Sequence, residues 1–517
     1  MIPETSTLSL EQKIGQMFMF GFSGNEPSAE LKELIRTYHL GNVIVFARNF
    51  ANAGDLRHLC RLIYSEFTIP PLIAIDQEGG VVIRITEGAS LLPGNMALAA
   101  TGDPNLAFEY GKITGREMRA LGLNLNLAPV LDVNHKNNPG IGVRSFGDNA
   151  DIVSEFGVSM IKGLQSEHIF STGKHFPGKG AATLDTHLDL AVIKKRFDEL
   201  ESSDIVPFQK AVESGVECIM TSHAAFPAFS PGKPAQPGTF TAEIMTDYLR
   251  HMLGFEGVLI TDDLEMGAAA KSADFNESIR KSVLAGADIL CVCRSFELQR
   301  SAVDTLTAAV RSGAILEARI DRSVRRILAL KRRFVEKREL FFAEDIDMLV
   351  NEHAETVRKI VDRSIQVHDD AGLVPLRIPE SEKILTVIPQ LQECSPVEEL
   401  KPFFRRAEQT IVQKIRAFHK NCDFIHFNLP PDESDMRSVL NAARASQVTL
   451  FCSYNAHLDP VQSDLLRALT EHDGKIILLM LRNPFDREIS SRVKASVALH
   501  APIHTVIERG IEKLFGI

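Results

Sequence analysis

Carboxylates, imidazoles and cations recur in this chain just after short apolar runs. LIAI (72–75) is followed by DQEGG, which supplies Asp76 and Glu78, and then by Arg84. APVLDVN carries Asp132, and GVRSFGDN carries Arg144. IFSTG leads into KHFPGKGAATLDTH, with Lys174, His175, Asp185 and His187. CIM leads into TSHAAF with His223, and GVLI into TDDLEM with Asp262 and Asp263. In open sheets and in barrels of parallel strands, reacting groups project from the C-terminal strand ends. Five such ends carrying charged or imidazole groups imply convergence on one ligand.

The residue types narrow the chemistry. Asp262 stands one residue past an apolar run, where a carboxylate is held rigidly and partly desolvated. That suits a nucleophile or base aimed at a fixed carbon, and it suits a helix N-cap equally well. Asp263 reads as a cap or a structural acceptor. Asp185 lies two residues before His187 in a loop with Pro177, Gly178 and Gly180. An Asp–His pair fixes an imidazole tautomer and raises its basicity for proton transfer, and a loop could close it over substrate. Taken alone, an exposed His beside a helix-capping Asp is the commoner arrangement. Lys174 and His175 fit direct bonding to a hydroxylated ligand; no HExxH spacing argues for a metal. Arg84 and Arg144 fit ligand contacts and surface ion pairs alike. His223 reads as a satisfied core histidine. Glu78-Gly79-Gly80 is too short to cradle phosphate, and neither GxxxxGK[ST] nor GxGxxG occurs.

The elements that must hold these groups are legible as well. Apolar runs at Met17–Phe22, Asn42–Ala47, Leu72–Asp76, Asn124–Pro129, Ile169–Phe176, Glu217–His223, Gly257–Asp263 and Asp288–Cys293 lack clean alternation, as strands buried on both faces do. Helically spaced stretches lie between them, with Asp55 and Asp103-Pro104 as helix starts. Eight strands alternating with helices predict an α/β fold: a (β/α)8 TIM-like barrel, with a doubly wound sheet fitting the alternation equally. Residues 318–334 form a basic amphipathic helix packed by its apolar face. Residues 341–370 read as a linker and helix. Runs at Ile384–Ile388, Phe424–Phe427, Val448–Cys452 and Ile476–Leu481 then predict a smaller α/β sandwich domain over 371–517, after a barrel over 1–340. Strand ends there, LRNPFD and FNLPPDE, carry ordinary turn-formers. The region beyond about residue 350 is therefore expected to be structural and not catalytic.

Composition excludes several classes. The 517 residues are 44% hydrophobic and 24% charged, an ordinary globular balance. Lys plus Arg is 57 and Asp plus Glu is 67, a net charge of −10 that argues against nucleic acid as the main partner. No run is long enough to span a bilayer, and the start MIPETSTLSLEQKIGQMF has no signal-peptide character. Seven scattered cysteines read as reduced thiols, which favours the cytoplasm. Tryptophan is absent, so any sugar bound should be short and held by polar contacts.

Taken together, IDQEGG, GVRSFG, GKHFPGKG…LDTH, DIVPF, TSHAAF and TDDLEM resemble family 3 glycoside hydrolases, in the β-N-acetylhexosaminidase (β-N-acetylglucosaminidase) branch. AGLVPL (371–376) and LRNPFD (481–486) resemble that family's second domain. The resemblance implies a retaining, exo-acting hydrolase with Asp262 as nucleophile, His187 as acid/base and Asp185 as its partner. It implies that Asp76, Arg84, Arg144, Lys174 and His175 bind sugar hydroxyls, and that no metal or organic cofactor is needed. The substrate implied is a small N-acetylglucosamine-containing saccharide or a muropeptide in cell-wall recycling. Two positions depart from the pattern: Lys179 stands where the branch has His, and Val81 where it has Arg. A phosphorylase on the same scaffold remains an alternative, since a neutral His does not repel phosphate; so does a sugar-binding barrel without turnover. Oligomeric state is left open.

Overall fold

The computed structural model describes residues 2–186, 188–471 and 475–517. Eight short parallel strands occupy the first part of the chain: β1 (Phe18–Phe20), β2 (Asn42–Ile44), β3 (Leu72–Ile75), β4 (Leu125–Asn126), β5 (Thr172–Phe176), β6 (Cys218–Thr221), β7 (Val258–Ile260) and β8 (Leu290–Val292). Each coincides with one of the eight expected apolar runs, and every residue in them is buried.

These strands do not form the closed barrel ladder expected. They divide into a five-stranded sheet, β4-β3-β2-β1-β8, and a three-stranded sheet, β5-β6-β7. At the two seams only single parallel bridges are made, Leu125 to Phe170 and Ile260 to Ile289, with one more from Val130 to Lys174. The reason at the first seam is local. β4 is two residues long, and Pro129 just beyond it has no N–H to give to a neighbour.

Helices alternate with the strands, and their ends follow from the sequence. The helix Pro104–Leu121 starts at Asp103, whose side chain accepts from Asn105 N, with Pro at its first turn and left-handed Gly122 at its end. The expected start at Asp55 is displaced. Asn52 caps that helix and Asp55 sits inside its first turn. The basic helix is Glu317–Val335, packed by Ile320, Val324, Ile327, Leu328 and Phe334. Its Lys331 is fully buried and donates to Gln16 Oε1 (2.7 Å) and the Gly41 carbonyl (2.8 Å). Burial pushes this ammonium down to about 7.

The later chain forms a second strand system, one sheet of six strands ordered β11-β10-β12-β13-β14-β9. These are β9 (Gln366–Asp369), β10 (Ile384–Pro389), β11 (Cys422–Phe427), β12 (Val448–Ser453), β13 (Lys475–Met480) and β14 (Ala495–Ala498). All pairs are parallel except β9 against β14. Alternate residues of β10 enter different cores: Ile384 and Ile388 join the cluster with Phe403, Ile411 and Val506, and Leu385 and Val387 join the one with Val439 and Leu465. Helices therefore cover both faces of this sheet. The helix Ile346–Ser364 ties the two parts together: His353 Nδ1 meets Glu117 Oε1 at 2.8 Å, and Asp362 pairs with Arg509. No helix among the described residues is long and apolar enough to cross a membrane.

Candidate active site

Six of the expected site residues meet in one cavity of about 100 Å3: Asp76, Arg84, Arg144, Lys174, His175 and Asp262. The strands deliver them as the strand-end argument requires. β3 presents Asp76, and the DQEGG turn swings Glu78 alongside. That turn needs its glycines. Gly79 and Gly80 both have left-handed φ, +84° and +61°, and a Cβ on Gly79 would lie 1.7 Å from the Tyr110 hydroxyl. The hydroxyl instead donates to the Glu78 carbonyl at 2.7 Å. Gln77 Oε1 accepts from Arg84 N at 2.9 Å, which fixes the arginine's backbone over the cavity.

The floor of the cavity is an ordered ion network. Lys174 Nζ lies 2.7 Å from both Asp76 Oδ1 and Glu78 Oε1. Arg144 grips Glu78 with two parallel bonds, Nε to Oε2 at 2.9 Å and Nη2 to Oε1 at 2.8 Å. Burial alone would raise the Glu78 carboxyl, but Arg144 and Lys174 outweigh it and hold the group at about 2. Burial likewise works against the Lys174 charge, and Asp76 and Glu78 overcome it, so its pKa is raised. Buried charges on this scale persist because each is paired. They leave a rigid set of donors and acceptors suited to vicinal hydroxyls.

Asp262 follows β7 directly, beyond Thr261, which is fully buried and accepts from Cys291 N at 3.0 Å through its hydroxyl. No helix begins at Asp262; the next starts at Gly267. Its Oδ1 accepts from Asp263 N at 2.9 Å, and its Oδ2 lies 3.9 Å from His175 Nε2 and 3.8 Å from Lys179 Nζ. The N-cap alternative is thus not what the fold uses it for. Asp263 is the structural member of the pair, accepting from Glu265 N and Cys293 N, each at 3.2 Å. Burial, with Glu265 nearby, pushes its carboxyl up to about 7. His223 is fully buried and satisfied by Thr239 Oγ1 (2.8 Å) and the Asp263 carbonyl (3.0 Å), as a core histidine.

Asp132 positions two other groups. It bonds His175 Nδ1 at 2.8 Å through Oδ2, and accepts from Lys179 N at 2.6 Å through Oδ1. Burial pushes its carboxyl up to about 6, against the pull of Lys179. Lys179 is itself buried. Its Nζ reaches Thr186 Oγ1 at 3.3 Å, and burial lowers its pKa against the pull of Asp262. The Asp185 loop therefore stands beside Asp262, with Lys179 between. Asp185 Oδ2 accepts from Ser395 Oγ at 2.6 Å. His187 lies outside the described residues.

Sequence reading missed several wall residues. Phe46 and Arg48 line the cavity at the end of β2, with the Arg48 guanidinium 4.3 Å from the Phe46 ring centre. The strand-end rule, applied to the run at Asn42–Ala47, would have found them. Pro396, Val397 and Glu399 also line it. Arg84 Nη1 donates to the Val397 carbonyl at 2.7 Å and lies 3.3 Å from Glu399 Oε2. The chain beyond residue 350, expected to be structural and not catalytic, thus contributes wall residues to the cavity. Nothing local in the sequence marks these residues, because a long-range contact brings them there.

The arrangement sets the Asp262 carboxylate beside a buried set of charged groups that can hold hydroxyls, next to the loop that carries Asp185. Comparisons with known proteins point to one family. Residues 9–330 match the family described as glycosyl hydrolase family 3 N terminal domain. A curated "Beta-hexosaminidase" of Stenotrophomonas maltophilia is 34% identical over 284 residues, 54% of this chain and 83% of that protein. "Beta-hexosaminidase A" of Pseudoalteromonas piscicida is 28% identical over 446 residues, 78% of this chain and 74% of that protein. A solved glycoside hydrolase family 3 beta-N-acetylglucosaminidase from Paenibacillus sp. superposes with a TM-score of 0.90 at 35% identity, covering 98% of this chain and 97% of that one. With nearly two thirds of the chain inside the family match and almost all of it shared with that structure, the protein belongs to glycosyl hydrolase family 3, in its β-hexosaminidase branch, and is a glycoside hydrolase.

Proposed function

We propose that the protein is an exo-acting, retaining β-N-acetylglucosaminidase. The observation that carries this reading is the convergence of Asp262 with the Asp76–Lys174–Glu78–Arg144 network at one small cavity, beside the loop that bears Asp185. The small cavity favours one terminal sugar ring over a long chain. The relatives' names supply the N-acetylhexosamine. Asp76, Arg84, Arg144, Lys174 and His175 take the sugar hydroxyls. Asp262 attacks the anomeric carbon as His187, paired with Asp185, protonates the leaving oxygen; the imidazole then takes a proton from water, which releases the sugar with its configuration retained. The eight parallel strands read as the catalytic part of the chain over 1–340, and the six-stranded sheet as a separate domain that begins with β9, a few residues ahead of 371. All seven cysteines are free thiols, in keeping with a cytoplasmic enzyme that trims muropeptides.

The buried Lys179 ammonium beside Asp262 favours a second reading, in which phosphate replaces water and the product is a sugar 1-phosphate. One experiment separates the possibilities. The enzyme is inactivated with a 5-fluoro N-acetylglucosaminyl fluoride, and the labelled peptide is mapped by mass spectrometry. The expected label sits on Asp262; a label elsewhere overturns the assignment. Turnover of an aryl β-N-acetylglucosaminide with phosphate present should yield free N-acetylglucosamine. Predominance of the 1-phosphate would select the second reading.

A further inference from the structure

The segment that leaves β10 and passes over the cavity, residues 393–400, is anchored from both sides. Toward the catalytic strands, Arg84 Nη1 holds the Val397 carbonyl at 2.7 Å, and Glu399 Oε2 accepts from Ala47 N at 3.1 Å. Toward the six-stranded sheet, Glu398 forms an ion pair with Arg482, both nearly free of solvent exposure. Glu398 Oε2 also accepts from Cys394 N at 3.0 Å, the residue just before Ser395. Ser395 is buried at 3% exposure and gives its hydroxyl proton to Asp185 Oδ2 at 2.6 Å.

We propose that Ser395 is a positioning residue for Asp185, and that the Glu398–Arg482 pair of the six-stranded sheet holds it in place. The proposal rests on the reading of Asp185 as the partner of the acid/base. A hydroxyl pinned to one carboxylate oxygen sets the plane of the carboxylate and favours its ionised form. An imidazole working with Asp185 then meets a fixed acceptor. A carboxylate free to rotate would spend part of its time misaligned, and proton transfer is sensitive to such errors. Charged groups facing this loop include Lys179, which faces Asp132, Asp262 and Arg144 as well as Asp185, and Lys271, which pairs with Asp189 further along it. Ser395 is a contact with Asp185 that comes from the far part of the chain, on the segment held by Arg482.

The test uses the full chain with Ser395→Ala, Ser395→Thr, Asp185→Ala and the double variant Ser395→Ala/Asp185→Ala. Two substrates are compared, a 4-nitrophenyl and a simple alkyl β-N-acetylglucosaminide. Ser395→Ala should lower kcat/KM on the alkyl glycoside about tenfold and on the activated one much less, since only the former needs full protonation. KM should stay within about twofold. The pH–rate profile should shift, because the Asp185 carboxylate has lost a hydrogen-bond donor. Ser395→Thr should restore both rate and profile. The double variant should be no slower than Asp185→Ala. Glu398→Gln, which keeps the shape but weakens the anchor, should show a smaller loss in the same direction. A Ser395→Ala enzyme with wild-type rates and profile, alongside an impaired Asp185→Ala, overturns this proposal and leaves the proposed function standing. Losses that multiply in the double variant overturn it too. A Glu398→Gln enzyme identical to wild type removes the anchoring half. If Asp185→Ala itself runs at wild-type rates, the acid/base reading falls, and the role of Ser395 with it.

Discussion

Asp132 shows how one buried side chain sets the pH range of a site. Its carboxyl stands at about 6, and it holds both the His175 ring and the Lys179 backbone. Above that pH it is an anion bracing two groups that face Asp262; below it the brace loses its charge. Activity should therefore fall as pH drops through about 6. Asp132→Asn should lower kcat by about 10–100-fold and abolish that acidic limb, both visible in a pH–rate profile of an aryl glycoside. A profile with the limb intact in the variant would assign it elsewhere. Lys179→Met should cost about tenfold in kcat with little change in KM, because the lost ammonium faces Asp262 and lies outside the cavity wall; an unchanged kcat would show that the charge is idle. Residue identities were the most legible layer of this protein. Asp76, Arg84, Arg144, Lys174, His175 and Asp262 were marked by strand-end position. Asp132 was noticed but not assigned, because a carboxylate that orients neighbours looks, in one dimension, like any other.

At the scale of elements, the strongest signals came from strands buried on both faces. β9 and β14 were missed for opposite reasons. QVHD is a largely exposed antiparallel edge with no apolar run, and ASVA is fully buried but too small in its side chains to stand out. The closed barrel failed as an expectation because apolar periodicity reports burial and says nothing of how many ladder bonds join neighbours. Loop geometry was likewise invisible beyond its glycines. Gly180 shows what those glycines do: a Cβ there would stand 1.7 Å from the Val133 carbonyl oxygen. The loop carrying Asp185 leaves the core only by passing this close to the backbone. Gly180→Ala should displace that loop and lower kcat by about a hundredfold, while unfolding and near-neutral activity on a pre-activated substrate change far less. Wild-type rates on an unactivated glycoside would show that the loop re-routes without loss.

The molecule as a whole is less modular than its two strand systems suggest. Two core systems are visible in the sequence as two series of apolar runs. What joins them is not visible, because it depends on single pairs hundreds of residues apart, such as Arg84 with Glu399 and His353 with Glu117. Stability should carry a signature of the six-stranded sheet. His500 is buried, has φ +63° and finds no hydrogen-bond partner for either ring nitrogen among the described residues. Burial pushes its pKa down to about 4 from an ordinary 6.5. The unfolded chain therefore binds the extra proton first, and stability is lost as pH falls from about 6.5 to about 4. Asp132 acts oppositely over nearly the same span: its raised carboxyl favours the protonated folded state, so ionisation between about 4 and 6 costs stability. His500→Asn, which tolerates the left-handed backbone, should shrink the fall in Tm between pH 7 and 4.5 by a few degrees. An unchanged fall would place the acid sensitivity in another group.

The anchoring of residues 393–400 by Arg482 has a consequence for how the enzyme comes into being. A ribosome delivers the eight catalytic strands first, and domains generally fold in the order they emerge. The cavity formed at that stage has no roof: Val397 and Glu399 are still to be made, and Arg482, which fixes their segment, emerges later still. β14 then closes over β13 within the last few dozen residues. A nascent chain would thus carry Asp76, Arg84, Lys174 and Asp262 before the segment that roofs their cavity is made.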